Sequence, residues 1–124
     1  MPESIVTFFD AWQLEVAEAR FEKIVSVVTA DIEYHDPRTP ETVKGSDALS
    51  NYVGMFSEHA PGWTAKVLKS DTVAGMTRAT VAFGGVGPDG KEMVQLGQYF
   101  VEMKGDLIAR MVGFVGTGEA DAPA

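Results

Sequence analysis

Asp36 is the carboxylate in this sequence best placed to do chemistry. It follows Ile32 and Tyr34 at a spacing of two, and Pro37 comes directly after it. On a strand, residues two apart share a face, so Ile32, Tyr34 and Asp36 point the same way. If that way is inward, the carboxylate enters an apolar space. Desolvation there disfavours a charged carboxylate and makes it a usable general base. A second reading stands beside the first, in which Asp36 is a turn-forming aspartate before proline that accepts backbone hydrogen bonds. Gln98 is the other polar residue in an apolar setting, with Val94, Leu96 and Phe100 on its face of a strand. A glutamine so placed needs a partner, and a ligand, Asp36, a neighbouring side chain or a water could each serve.

Other constellations carry less. His35 and His59 are the two histidines. Glu33 and His35 share the face opposite Asp36, which reads as a solvated or interface face rather than a metal site. His59 closes a helix, where it suits the dipole. Arg110 reads as pairing on the outer face of the last strand. The run Gly85-Val86-Gly87-Pro88-Asp89-Gly90 matches the spacing of a dinucleotide-binding loop. That loop needs a following helix to meet the pyrophosphate, and here a strand follows a Pro-Asp-Gly turn, so the match is rejected. No Ser-His-Asp arrangement is readable. With no cysteine in the chain, thiolate nucleophiles, disulfides and iron–sulfur clusters are excluded. No metal and no cofactor is expected.

The elements that must position these residues follow from periodicity. Ile5, Phe8, Phe9, Trp12 and Val16 form an apolar helical face over about residues 4–19. Phe21, Ile24, Val25 and Val28 suggest a second helix over about 20–29. A short strand, 32–36, ends at Pro37, and a loop with two prolines follows. Gly45-Ser46-Asp47 opens a third helix, with Ser46 as its cap. Strands are expected over 63–72, 77–86, 91–103 and 107–115, joined by turns too short for anything but antiparallel pairing. Gly84, Gly85, Gly97 and Gly113 inside the strands are read as points of sharp bending. The expected class is α+β, with three helices in the N-terminal half packed on a strongly curved antiparallel sheet.

The chain has 124 residues, one domain's worth, and 45% are hydrophobic. Acidic residues number 18 against 10 lysines and arginines, a net charge of −8. The basic residues are scattered, so neither nucleic acid nor an anionic membrane surface is an expected partner. No stretch is apolar and long enough to span a bilayer, and no leader is readable at Met1-Pro2-Glu3-Ser4, which makes the cytoplasm the expected location. The domain is expected over 1–116, with a flexible tail over 117–124.

The run Thr29-Ala30-Asp31-Ile32-Glu33-Tyr34-His35-Asp36-Pro37, then Gly45-Ser46-Asp47-Ala48-Leu49, Gly97-Gln98-Tyr99-Phe100-Val101 and Gly105-Asp106-Leu107-Ile108, resembles the NTF2-like superfamily in its SnoaL-like and ketosteroid-isomerase-like branch. The aromatic helix around Phe8-Phe9-Asp10-Ala11-Trp12 fits as well. The resemblance covers about Ile5 to Gly116 and implies a cone (cystatin-like) with an internal pocket. It implies that Asp36-Pro37 stands where ketosteroid isomerases carry their general base. It sets Trp12 and Gln98 at the positions of the two oxyanion donors, as weaker donors than the originals. It places Phe100, Met111 and Gly113 on the pocket wall, where Tyr34, on the strand face of Asp36, is also expected to meet a ligand. The function implied is an isomerase, cyclase or lyase using Asp36 on a small apolar carbonyl-bearing or polycyclic molecule, or a non-catalytic binding or regulatory domain with the same pocket. A homodimer is expected through the outer sheet face, with Tyr99, Val101, Val112 and Phe114 as its apolar residues.

Overall fold

Ile5, Phe8 and Phe9 recur at helical spacing, and all three are buried in α1 (Glu3–Asp10). The computed structural model describes residues 2–118. The tail expected over 117–124 therefore lies, from residue 119 on, outside the described residues. A single 3-10 turn, Ala11–Gln13, continues α1 and buries Trp12. At Leu14 the backbone turns extended, and α2 (Ala17–Val25) starts afresh. The break expected between the two helices near Ala19 is thus corrected to Leu14–Val16, and the reason is tertiary. The Leu14 carbonyl, released from the helix, accepts from Arg20 Nη1 at 3.1 Å. The Gln13 amide pairs with the backbone of Ala65, accepting at 2.7 Å and donating at 3.3 Å. These bonds replace those a continuing helix would have made.

β1 (Val28–His35), β2 (Val43–Lys44), α3 (Ser46–His59), β3 (Thr64–Val73), β4 (Met76–Val86), β5 (Glu92–Lys104) and β6 (Leu107–Val115) follow. Val28 and Thr29 belong to β1 rather than to a helix, and Gly45, not Ser46, occupies the N-cap of α3. No helix among the described residues is long and apolar enough to cross a membrane.

The sheet runs β2-β1-β6-β5-β4-β3, with the helices against one face. Two expectations about it are corrected. It is not wholly antiparallel, because β6 lies parallel to β1, with Tyr34 opposite Met111. Nor is it strongly curled: the six strands stay an open sheet with β2 and β3 at its edges. The cone keeps its three helices over a gentler floor. Two of the strand glycines, Gly85 and Gly113, make room for aromatic rings. A Cβ on Gly113 would stand 2.5 Å from Tyr99 Cε2, and one on Gly85 2.5 Å from the Trp63 ring. Register irregularities are confined to β1/β6, β3/β4 and β5/β6.

Candidate functional site

Asp36 closes β1 on its inward face. Ile32, Tyr34 and Asp36 are 1%, 0% and 5% exposed, so the face read from the sequence does point into the cone. Asp36 is both turned inward and engaged as a turn residue. Its Oδ1 accepts the Arg38 backbone N–H at 2.8 Å, and its carbonyl accepts the Thr39 hydroxyl at 3.0 Å, which makes the turn. Its Oδ2 accepts two phenols, Tyr34 at 2.7 Å and Tyr52 at 2.6 Å. Tyr34 reaches it along the same strand face. Tyr52 reaches it from α3, one turn past the buried Leu49.

The tyrosines are held neutral. Burial, then the neighbouring Tyr99 and Asp36, push the Tyr34 phenol well above the usual range. Burial, then the hydrogen bond to and the charge of Asp36, raise Tyr52, while the Arg38 cation opposes this. Burial pushes Tyr99, whose ring centroid is 6.4 Å from that of Tyr34, up to about 12. A phenolate beside a buried carboxylate is disfavoured twice, by desolvation and by like charge. The phenols therefore stay donors, and Asp36 is the common acceptor of Tyr34 and Tyr52.

A cavity of about 720 Å³ opens beside this cluster. Trp12, Phe56, Trp63 and Phe83 supply its apolar wall; Arg38, Gln95 and His59 supply polar groups, and Tyr52 lies in the wall as well. Asp36 does not line it. The carboxylate sits one side chain behind, against a void of about 20 Å³ shared with Tyr99 and Gly97. Tyr52 is thus the side chain that both bonds the Asp36 carboxylate and lines the large cavity, while Arg38 bonds it through its backbone amide. Among the described residues, no three His, Cys, Asp or Glu side chains gather to hold a metal.

The residues singled out from the sequence are only partly brought together. Trp12 is in the cavity wall, but its Nε1 is buried with no hydrogen-bond partner among the described residues. Tyr34 lies behind the wall as a donor to Asp36. Met111 and Gly113 face inward, Met111 into the core opposite Tyr34 and Gly113 beneath the Tyr99 ring. Gln98 and Phe100 are on the other face. Gln98 pairs across β6 with Phe114, and the Phe100 and Phe114 rings meet edge to face at 5.6 Å. The inward residues of β5 are Tyr99 and Val101, which the sequence reading assigned to the outside. One signal could have set the phase: Glu102 and Lys104 share the parity of Gln98 and Phe100 and mark that face as the solvent side. Three further lining residues, Tyr52, Arg38 and Gln95, carry no local signal in the sequence, and His59 carries only that of a helix end. Nothing local links Tyr52 to Asp36. His59 Nδ1 donates to the Met55 carbonyl at 2.8 Å, as suits a helix end, yet the ring also borders the cavity.

The fold is shared with solved structures of low sequence identity. A candidate isomerase of the SnoaL-like family from Agrobacterium tumefaciens is 20% identical, with 93% of this chain and 96% of that one covered and a TM-score of 0.78. A hypothetical protein with a ketosteroid isomerase-like fold from Catenulispora acidiphila, solved with trimethylamine, is 15% identical over 91% and 85%, at 0.75. A candidate SnoaL-like polyketide cyclase from a Jannaschia species is 14% identical over 91% and 83%, at 0.74. No curated protein matches. The model of the SnoaL-like domain matches residues 5–111, nearly the whole described chain. On that match, and with the helix-covered sheet and pocket just described, this chain belongs to the SnoaL-like domain family.

Proposed function

We propose that this protein is a small proton-transfer enzyme, an isomerase, cyclase or lyase, in which Asp36 is the base and Tyr52 connects it to the substrate. The observation that carries this is the 2.6 Å hydrogen bond from Tyr52, a cavity-wall residue, to Asp36 Oδ2. A phenol that gives its proton to Asp36 can take one from a carbon acid in the cavity, so that the carboxylate acts at one remove. When the proton returns to a different carbon, the result is isomerisation; when a leaving group departs, elimination. Tyr34 steadies Asp36 Oδ2, and the Arg38 amide fixes Oδ1, so the acceptor has one orientation. The apolar wall suits a small carbonyl-bearing or polycyclic molecule.

Catalysed deuterium exchange at the α-carbons of a cyclic ketone, followed by NMR, tests the reading without knowledge of the natural substrate. Asp36→Asn and Tyr52→Phe should each lower exchange by about 10²-fold or more, the scale of positioned acid–base catalysis. Exchange unchanged in a folded Tyr52→Phe protein rules out the relay. Exchange unchanged in both variants leaves the non-catalytic binding domain. That second reading has its own observation: the Asp36 carboxylate already accepts three hydrogen bonds and stands behind the cavity wall.

A further inference from the structure

We propose that the cavity takes an aromatic monoanion, with its flat body against the tryptophan and phenylalanine wall and its carboxylate on Arg38. This rests on the cavity being the ligand site, and not on Asp36 being a base. The chain carries 18 acidic residues against 10 lysines and arginines, yet among the described residues no carboxylate lines the cavity. Its ionisable lining side chains are Arg38, His59 and Tyr52. Among the described residues Arg38 has no ion-pair partner; the ion pairs there join Arg78 to Asp71 and Arg110 to Glu102. Its one side-chain bond is a long one, Nη2 to Gln95 Oε1 at 3.4 Å.

Two carboxylates close in sequence to lining residues are engaged in other bonds. Asp36 receives the phenols and the Arg38 amide, and Asp89, beside the lining residue Pro88, accepts the Lys91 N–H at 3.1 Å to close its own turn. The backbone of Arg38 is held by that amide bond, so the guanidinium starts from an anchored stem. A planar guanidinium matches a carboxylate through paired donors. The overall charge of −8 opposes an anion at long range, but screening over about 8 Å at physiological ionic strength leaves the local groups to decide. Tyr52 lines the same cavity as Arg38, so an anion gripped there brings the adjoining carbons toward the Tyr52 hydroxyl.

Both tryptophans of the chain, Trp12 and Trp63, line this cavity, so intrinsic fluorescence reports its occupation. The probes are 2-naphthoate, the neutral 2-naphthamide and the cationic 2-naphthylmethylammonium, with calorimetry as the second readout. Naphthoate should bind about fivefold tighter than the amide, the scale of a partly exposed charge pair, and the ammonium should bind weakest. Arg38→Gln, in an exposed loop position, should erase the acid-over-amide preference and leave the amide within about twofold. Acid and amide within about twofold of each other in the wild type, a preference for the ammonium, or a preference that survives Arg38→Gln each overturns the proposal. So does failure of all three probes to bind at about millimolar concentration. None of these readouts involves turnover, so loss of the charge preference with intact α-carbon exchange removes the ligand class alone. The reverse result removes the enzyme reading alone.

Discussion

The Tyr52 hydroxyl donates to Asp36 Oδ2 at 2.6 Å from across the helix–sheet interface, while the Tyr52 ring remains in the wall of the large cavity. Tyr52→Phe removes that donor and little volume. Hydrogen bonds to charged groups are worth about 1.5–3 kcal/mol, and the half-buried position of Tyr52 lowers this, so the expected loss of stability is about 1–2 kcal/mol. Tyr34→Phe, at a fully buried site, should cost more. A urea series on both variants reads the order, and a larger loss for Tyr52→Phe would contradict it.

The three tyrosines of this chain, Tyr34, Tyr52 and Tyr99, are all raised above the ordinary phenol value. Tyrosinate absorbance of the native protein should therefore stay low at pH 10 to 11, where exposed phenols are half ionised or more. The linkage sign follows. The folded state holds these protons to higher pH than the unfolded chain, so their contribution to stability is complete below about pH 10. It is lost as pH rises through the folded values, Tyr99 at about 12 being the lowest with a definite figure within reach. A spectrophotometric titration showing one tyrosine ionising near pH 10 in the folded protein would refute the cluster.

Gly113 lies beneath the Tyr99 ring, where an added Cβ would meet Cε2 at 2.5 Å. Tyr99 is 5% exposed and packs edge-on against Phe9, with ring centroids 4.9 Å apart, so it has little room to yield. Gly113→Ala should cost about 1–3 kcal/mol by overpacking. The tyrosinate titration should shift in the same variant, since the ring must move. An unchanged denaturation midpoint would show that the sheet relaxes freely.

We expect two copies to pair through the outer sheet face. Leu96, Phe100, Val112 and Phe114 occupy neighbouring outward positions, and Phe114 is 55% exposed. The ion pairs Arg78–Asp71 and Arg110–Glu102 flank the patch with both signs, which suits a self-complementary two-fold contact. Two of the four residues first expected there, Val112 and Phe114, remain; Tyr99 and Val101 are buried under the helices instead. Sedimentation should give a dimer at about micromolar concentration, and Phe114→Lys a monomer. A wild-type monomer would remove the proposal.

Periodicity in the sequence determined which residues travel together. The Ile32–Tyr34–Asp36 face, the apolar stripe of α1, the helix at Ser46 and three hairpins joining four long strands were legible, because each rests on contacts between residues close along the chain. The Asp36 turn was legible for the same reason, since its partners Arg38 and Thr39 are two and three residues away. What periodicity cannot supply is sign. Alternation in β5 separates Gln98 and Phe100 from Tyr99 and Val101, but the helices packed on the sheet decide which pair is inside, and they cover Tyr99 and Val101. Nor does a local pattern carry a long-range partner. The parallel seam of β1 with β6 and the bond from Tyr52 to Asp36 join segments whose meeting depends on the whole chain closing. The strand glycines are ambiguous in the same way, since a missing side chain permits either a bend or a close neighbour. At Gly113 and Gly85 the bulk of Tyr99 and Trp63 made it the neighbour.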